Sequence, residues 1–150
     1  MPLPDMTEHG LLPAGVHDCT ADEVANAFCG NERRQEIWEG FQRFMQRVAT
    51  LPHPSEILID GSFVTDKTQP QDVDVVVDIT GCNDNERAEW FDVYRDHHAE
   101  IHQDDYVDFY PVIVGHGNDF AAFFQYIRAK DAFDRGIDPA VRKGILRIAP

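Results

Sequence analysis

Asp72 and Asp74 stand two apart in the valine-rich run DVDVVVDI, and the alternation of a strand turns both carboxylates to one face. Two unit charges about 4 Å apart repel by about 4 kcal/mol at an effective dielectric of about 20, so the pair needs a counter-charge. A divalent cation supplies it. Paired carboxylate oxygens suit Mg2+ or Mn2+, ions that keep several waters and are usually completed by substrate phosphates. Nine residues separate Asp72 from Gly61-Ser62, which follow the apolar stretch ILID. A glycine after a strand lets the backbone turn and approach a ligand, and the serine hydroxyl with nearby N–H groups can hold phosphate oxygens. Alternating Asp and Val also occur on a solvated strand edge, but Asp suits strand interiors poorly, and Gly-Ser at this distance strengthens the joint signal.

The order strand, Gly61-Ser62, polar loop, Asp72-Val73-Asp74 resembles the signature of the DNA polymerase beta-like nucleotidyltransferase superfamily, in particular its minimal, single-domain members. The wider framework, GLLPAGVH near the start, GSFVTDK in the middle and KGILRI at the end, is similar to a little-characterised family of short bacterial nucleotidyltransferase-like proteins. The resemblance implies an α+β fold, a nucleotidyltransferase-like mixed sheet packed on one side by helices. It also implies a two-metal site for Mg2+ or Mn2+ held by Asp72, Asp74 and a third carboxylate on a later strand. The best match for the third is Asp108 in YVDFYPVIV, with Asp104 and Asp105 close enough that a register slip would exchange them. By the same resemblance Asp108 also serves as general base, Gly61 and Ser62 seat the β and γ phosphates of an NTP, and Lys67 is a point charge on them or an ordinary solvated lysine. One departure is the stretch FVTDK after Gly-Ser, where relatives often carry arginine and glycine; it brings Asp66 near the phosphates.

The elements that must position these residues follow from periodicity. Residues 1–19, rich in Pro and Gly, read as an extended arm pinned by Leu11, Leu12 and Val16, and residues 20–150 as one domain. Thr20 with Glu23 forms a capping box for a helix to about Cys29. Ile37, Trp38, Phe41, Phe44, Met45 and Val48 make an apolar stripe on a helix from Asn31 to about Thr50, which Pro52 and Pro54 end. Asn83 with Glu86 opens a helix to about Ile101, with Trp90, Phe91, Tyr94 and Ile101 near one face. His98 and His102, one turn apart, could clasp a metal, but without a third ligand at a convincing spacing they read as a solvated helix end. Tyr106–Val114 reads as a strand with Asp108 and Tyr110 on one face, and Pro111 points to an edge or bulge. Asp78 shares the face of Asp74 but lies about 13 Å along, too far to share its ion. Phe120, Phe123, Phe124 and Ile127 make a stripe on a helix from about Asp119 to Ala129. Asp138-Pro139 reads as a cap with proline at the first helical position, ahead of the basic cluster Arg142, Lys143 and Arg147. That cluster folds back toward phosphates or carboxylates, or balances surface charge.

At 150 residues the chain is one domain, and 43% hydrophobic content with ten Phe indicates a packed core. A formal charge of −14 and a pI of about 4.6 disfavour nonspecific DNA or RNA binding. Cys19, Cys29 and Cys82 show no CxxC spacing, which fits a reducing cytoplasm. No apolar run is long enough for a bilayer, so no membrane partner is expected. Two functions follow. One is transfer of an NMP from an NTP to a hydroxyl of a protein, RNA end or small molecule, with toxin-antitoxin or phage-defence settings suggested by the resemblance. A protein partner or homodimer would then hold the acceptor, since no second domain is evident. The other is a catalytically silent binding protein on the same scaffold, whose acidic surface engages a basic partner.

Overall fold

The computed structural model describes residues 3–114, 125 and 127–149. In chain order its elements are β1 (Gly15–Cys19), α1 (Ala21–Phe28), α2 (Glu32–Val48), β2 (Glu56–Asp60), a 3-10 turn (Ser62–Val64), β3 (Val73–Asp78), α3 (Asp84–Asp105), β4 (Val107–Val112), α4 (Ala129–Arg135) and β5 (Gly144–Ile148). They form a single-domain α+β fold around one five-stranded mixed sheet, ordered β1-β5-β2-β3-β4. The pairs β1/β5 and β3/β4 are parallel, and β5/β2 and β2/β3 antiparallel.

Local chemistry starts the helices where the sequence places them. Thr20 with Glu23 and Asn83 with Glu86 both form reciprocal capping boxes, satisfying N–H groups that a first turn leaves free. Along α2, Ile37, Trp38, Phe41, Phe44 and Val48 are buried, with Met45 packed against them. Trp38 stacks on Phe41 at 5.0 Å, and Phe44 lies 5.1 Å from Phe109 of β4. Strand alternation sends Ile57, Ile59, Val73, Val75, Val77, Val107 and Phe109 into this same core, which α1, α2 and α3 cover. Among the described residues, the opposite face carries a small apolar ridge of Leu58, Val76 and Ile145, with Val16 and Val112 packed against it. The even-numbered aspartates emerge on that face.

Several expectations are corrected. The arm is pinned by Leu11 and Leu12, both buried, but its end is the edge strand β1, because Gly15–Cys19 finds a parallel partner in β5. The segment after Asp138-Pro139 is not a helix: Asp138 caps a single turn through Ala140 N–H, and the branched run of residues 144–148 enters the sheet between β1 and β2. Helix α3 continues past Ile101 to Asp105, where Tyr106 in the left-handed region (φ 57°) reverses the chain into β4. Phe91, expected beside Trp90, is exposed instead, while the Trp90 indole N–H donates to Pro52 O at 2.8 Å. Strand β4 is an edge strand, which accommodates Pro111. Most of the helix expected over 119–129 falls outside the described residues. Ile127 lies outside any helix, and α4 begins only at Ala129.

Candidate functional site

Three aspartates stand in register across three adjacent strands. Asp60, the last residue of β2, pairs with Asp74 of β3, and Asp74 pairs with Asp108 of β4. Neighbouring strands lie about 4.8 Å apart, so the sheet lines up three carboxylates like rungs on one face. Asp72, two residues before Asp74, adds a fourth on the same side. Sequence reasoning placed Asp72, Asp74 and Asp108 here and missed Asp60. The signal for Asp60 is its position as the last residue before Gly61, opposite the second aspartate of the pair.

Gly61 has φ +89°, a conformation L side chains rarely adopt, and a methyl group there would sit 2.9 Å from Asp74 Oδ2. The glycine is therefore required twice, by the turn and by the close approach of a carboxylate. Ser62 opens the 3-10 turn beside it, and Lys67 follows on an exposed loop.

Arg34 fixes that loop. It is only 6% exposed, and its guanidinium donates to the carbonyls of Phe28, Phe63, Thr65 and Lys67 at 2.6–3.1 Å, while lying over the Phe63 ring. Burial lowers its pKa from the usual arginine range, and carbonyl dipoles rather than a carboxylate satisfy it. Nothing in the hydrophobic pattern of α2 distinguishes this arginine from its exposed neighbours.

The histidines of α3 correct another expectation. Each has a carboxylate partner: half-buried His98 places Nε2 2.7 Å from Asp108 Oδ1, and His102, which is exposed, places Nε2 2.7 Å from Asp72 Oδ2. Tyr110 completes the setting of Asp108 by donating its hydroxyl to Oδ2 at 2.7 Å. The reversal at Tyr106 runs β4 back along α3, bringing residues ten and thirty apart into contact. Such contacts leave no local trace in the sequence. One ligand atom each of Asp72, His102 and Asp108 lies within 4.8 Å of the other two.

Asp60, Asp72, Asp74, Asp108 and Tyr110 line a cleft of about 570 Å³ with Gly61, Ser62 and Lys67, and His98 and His102 stand behind that lining. Arg128, Asp131, Arg135 and Lys143 line the same cleft. Lys143 reaches Asp60 with its Nζ 2.8 Å from Oδ1, Arg135 holds Asp66 at 2.8 Å, and Arg128 pairs with Asp131 at 2.8 Å. Of the basic cluster expected in the last segment, only Lys143 lines the cleft; Arg147 turns to Asp18 and Glu56. The Asp66 that appeared to oppose phosphate binding is neutralised by Arg135. Asp78 accepts from Thr80 away from the cleft.

The crowding of carboxylates has an electrostatic consequence. Burial, then the charges of Asp72, Asp60 and Asp108, push Asp74 up to about 7, with Lys143 opposing. Burial also raises Asp60, again against the pull of Lys143. Asp74 therefore holds a proton through much of the acidic range unless a cation takes its place. The donor set, carboxylate oxygens with one imidazole nitrogen, is chemically suited to a hard or borderline divalent ion.

Among the described residues, no helix is long and apolar enough to cross a membrane. No curated protein and no solved structure is significantly similar to the chain. A family profile does match it, over residues 4–149, and the chain belongs to that family, the family of unknown function DUF6932.

Proposed function

We propose that the protein is a metal-dependent nucleotidyltransferase-like enzyme that moves an NMP from an NTP to a hydroxyl acceptor. The observation that carries this reading is one cleft lined both by a row of carboxylates and by Lys67, Arg128, Arg135 and Lys143. A triphosphate bridged by divalent ions has a charge pattern complementary to that mixed lining.

Asp72, Asp74 and Asp108 would hold Mg2+ or Mn2+, two ions in the full reading. When bound, such ions polarise the α-phosphate and neutralise charge on the leaving oxygen. Gly61 and Ser62 would seat the β and γ phosphates, since both line the cleft and the Ser62 hydroxyl can hold phosphate oxygens. Lys67 would place a charge on the leaving pyrophosphate, and Arg128, Arg135 and Lys143 would join it by exchanging their present partners Asp131, Asp66 and Asp60. Asp108 would take the acceptor proton while the new bond forms between the acceptor oxygen and the α-phosphorus. The bond from that phosphorus to the bridging oxygen breaks, and pyrophosphate departs with the electron pair. His98 and Tyr110, each 2.7 Å from Asp108, would fix its orientation for that role.

Supplying α-labelled NTP with Mn2+ or Mg2+ and candidate protein, RNA and small-molecule acceptors tests the reading. Label should pass to an acceptor, and the pair Asp72→Asn with Asp74→Asn should abolish transfer. Absence of transfer and of NTP binding in the wild type, or binding unchanged in the double variant, would reduce the protein to a binding scaffold.

A further inference from the structure

The carboxylates account for a magnesium-type site, but they leave His102 without a role. Its Nε2 lies 2.7 Å from Asp72 Oδ2 and belongs to the group of three ligand atoms within 4.8 Å of one another. Adjacent ligands around an ion bound at about 2.1 Å are about 3 Å apart, and opposite ligands about 4.2 Å. His102 and Asp72 thus already stand close to the spacing of neighbouring ligands. Asp108 supplies the third ligand atom within 4.8 Å of both.

His98 differs. It sits on Asp108 Oδ1 while Tyr110 holds Oδ2, so that pair clamps a ligand carboxylate from behind, as outer partners of metal ligands do. The two histidines, one turn apart on α3, divide into an inner and an outer position.

We propose that His102 Nε2, Asp72 and Asp108 form a mixed nitrogen–oxygen site that selects a first-row transition ion, with Mn2+ as its spectroscopic probe, over Mg2+. The inference rests on the metal-dependent reading above and narrows it. Imidazole is a good ligand for transition ions and a poor one for Mg2+, which prefers oxygen and retains its water. Asp74 and Asp60 stand next in the row, with Asp60 already neutralised by Lys143.

Pulsed EPR of the Mn2+-loaded protein tests the assignment directly, because a coordinated imidazole gives a 14N modulation that carboxylates and water do not. The wild type should show it, His98→Gln should keep it, and His102→Gln should lose it. The His102→Gln variant should also bind Mn2+ at least about tenfold more weakly while its Mg2+ affinity changes little. Thermal melts confirm that both variants fold. Bound Mn2+ without 14N modulation, modulation lost only in His98→Gln, or equal Mn2+ affinity in wild type and His102→Gln would each overturn the site. Modulation present in a protein that transfers no nucleotide would leave the site standing and defeat the enzymatic reading. Failure to bind Mn2+ at all would defeat both.

Discussion

Asp74 stands in the middle of the carboxylate row, and its protonation sets the charge of the cleft. Its folded-state pKa of about 7 lies above its ordinary value of 3.8, so protonated Asp74 contributes stability that is complete below that ordinary value and disappears as pH rises through about 7. In metal-free protein at pH 8, Asp74→Asn should therefore raise the melting temperature, by a stability difference of at most about 4 kcal/mol, and the advantage should vanish near pH 4. Thermal melts across pH check this, and a variant no more stable at pH 8 would show that the row is not strained. Metal competes with the same proton. Mn2+ affinity should rise up to about tenfold per pH unit below 7, level off above it, and release about one proton on binding, measurable by calorimetry in two buffers. At this scale the sequence is informative: alternation and the Gly-Ser spacing identify Asp72, Asp74 and Asp108. It is silent on Asp60, His98 and His102, whose roles come from cross-strand register and from a helix lying along a strand.

The elements hold the site through two short-range devices. Arg34 ties α2 to the loop that carries Lys67, and replacing it with Met leaves three buried carbonyls and one part-buried carbonyl without their donor. The loss should be about 3 kcal/mol, read by denaturant unfolding, with faster amide exchange in residues 65–67. Gly61→Ala forces a positive φ on a side chain that also meets Asp74, and should cost about 1–3 kcal/mol along with nucleotide affinity. Wild-type stability in either variant would contradict the packing described. Capping boxes at Thr20 and Asn83, and the stripe of α2, were legible because they are local patterns of period 3.6. The strands at Gly15–Cys19 and Gly144–Ile148 were not, because each depends on pairing with the other across nearly the whole chain. Proline before a polar turn also made 138–143 read as a helix start, when Asp138 caps one turn only.

The whole molecule combines an acidic exterior with a strand order that makes its last strand interior. Because β5 bridges β1 and β2, deleting residues 144–150 should abolish cooperative unfolding rather than trim an end; a sigmoidal melt in that truncation would refute the topology. A charge of −14 repels a nucleic-acid backbone, so binding in a cleft lined by Lys67, Arg128, Arg135 and Lys143 among its carboxylates should favour a compact, metal-bridged polyphosphate. Calorimetric titration of a nonhydrolysable NTP, with and without Mn2+, into wild-type protein and into the Asp72→Asn, Asp74→Asn double variant tests the central claim most directly. Binding should require Mn2+ and fall at least about tenfold in the double variant, which should melt as a folded protein. Binding that ignores both the ion and the substitutions, or no binding by the wild type, would contradict the account.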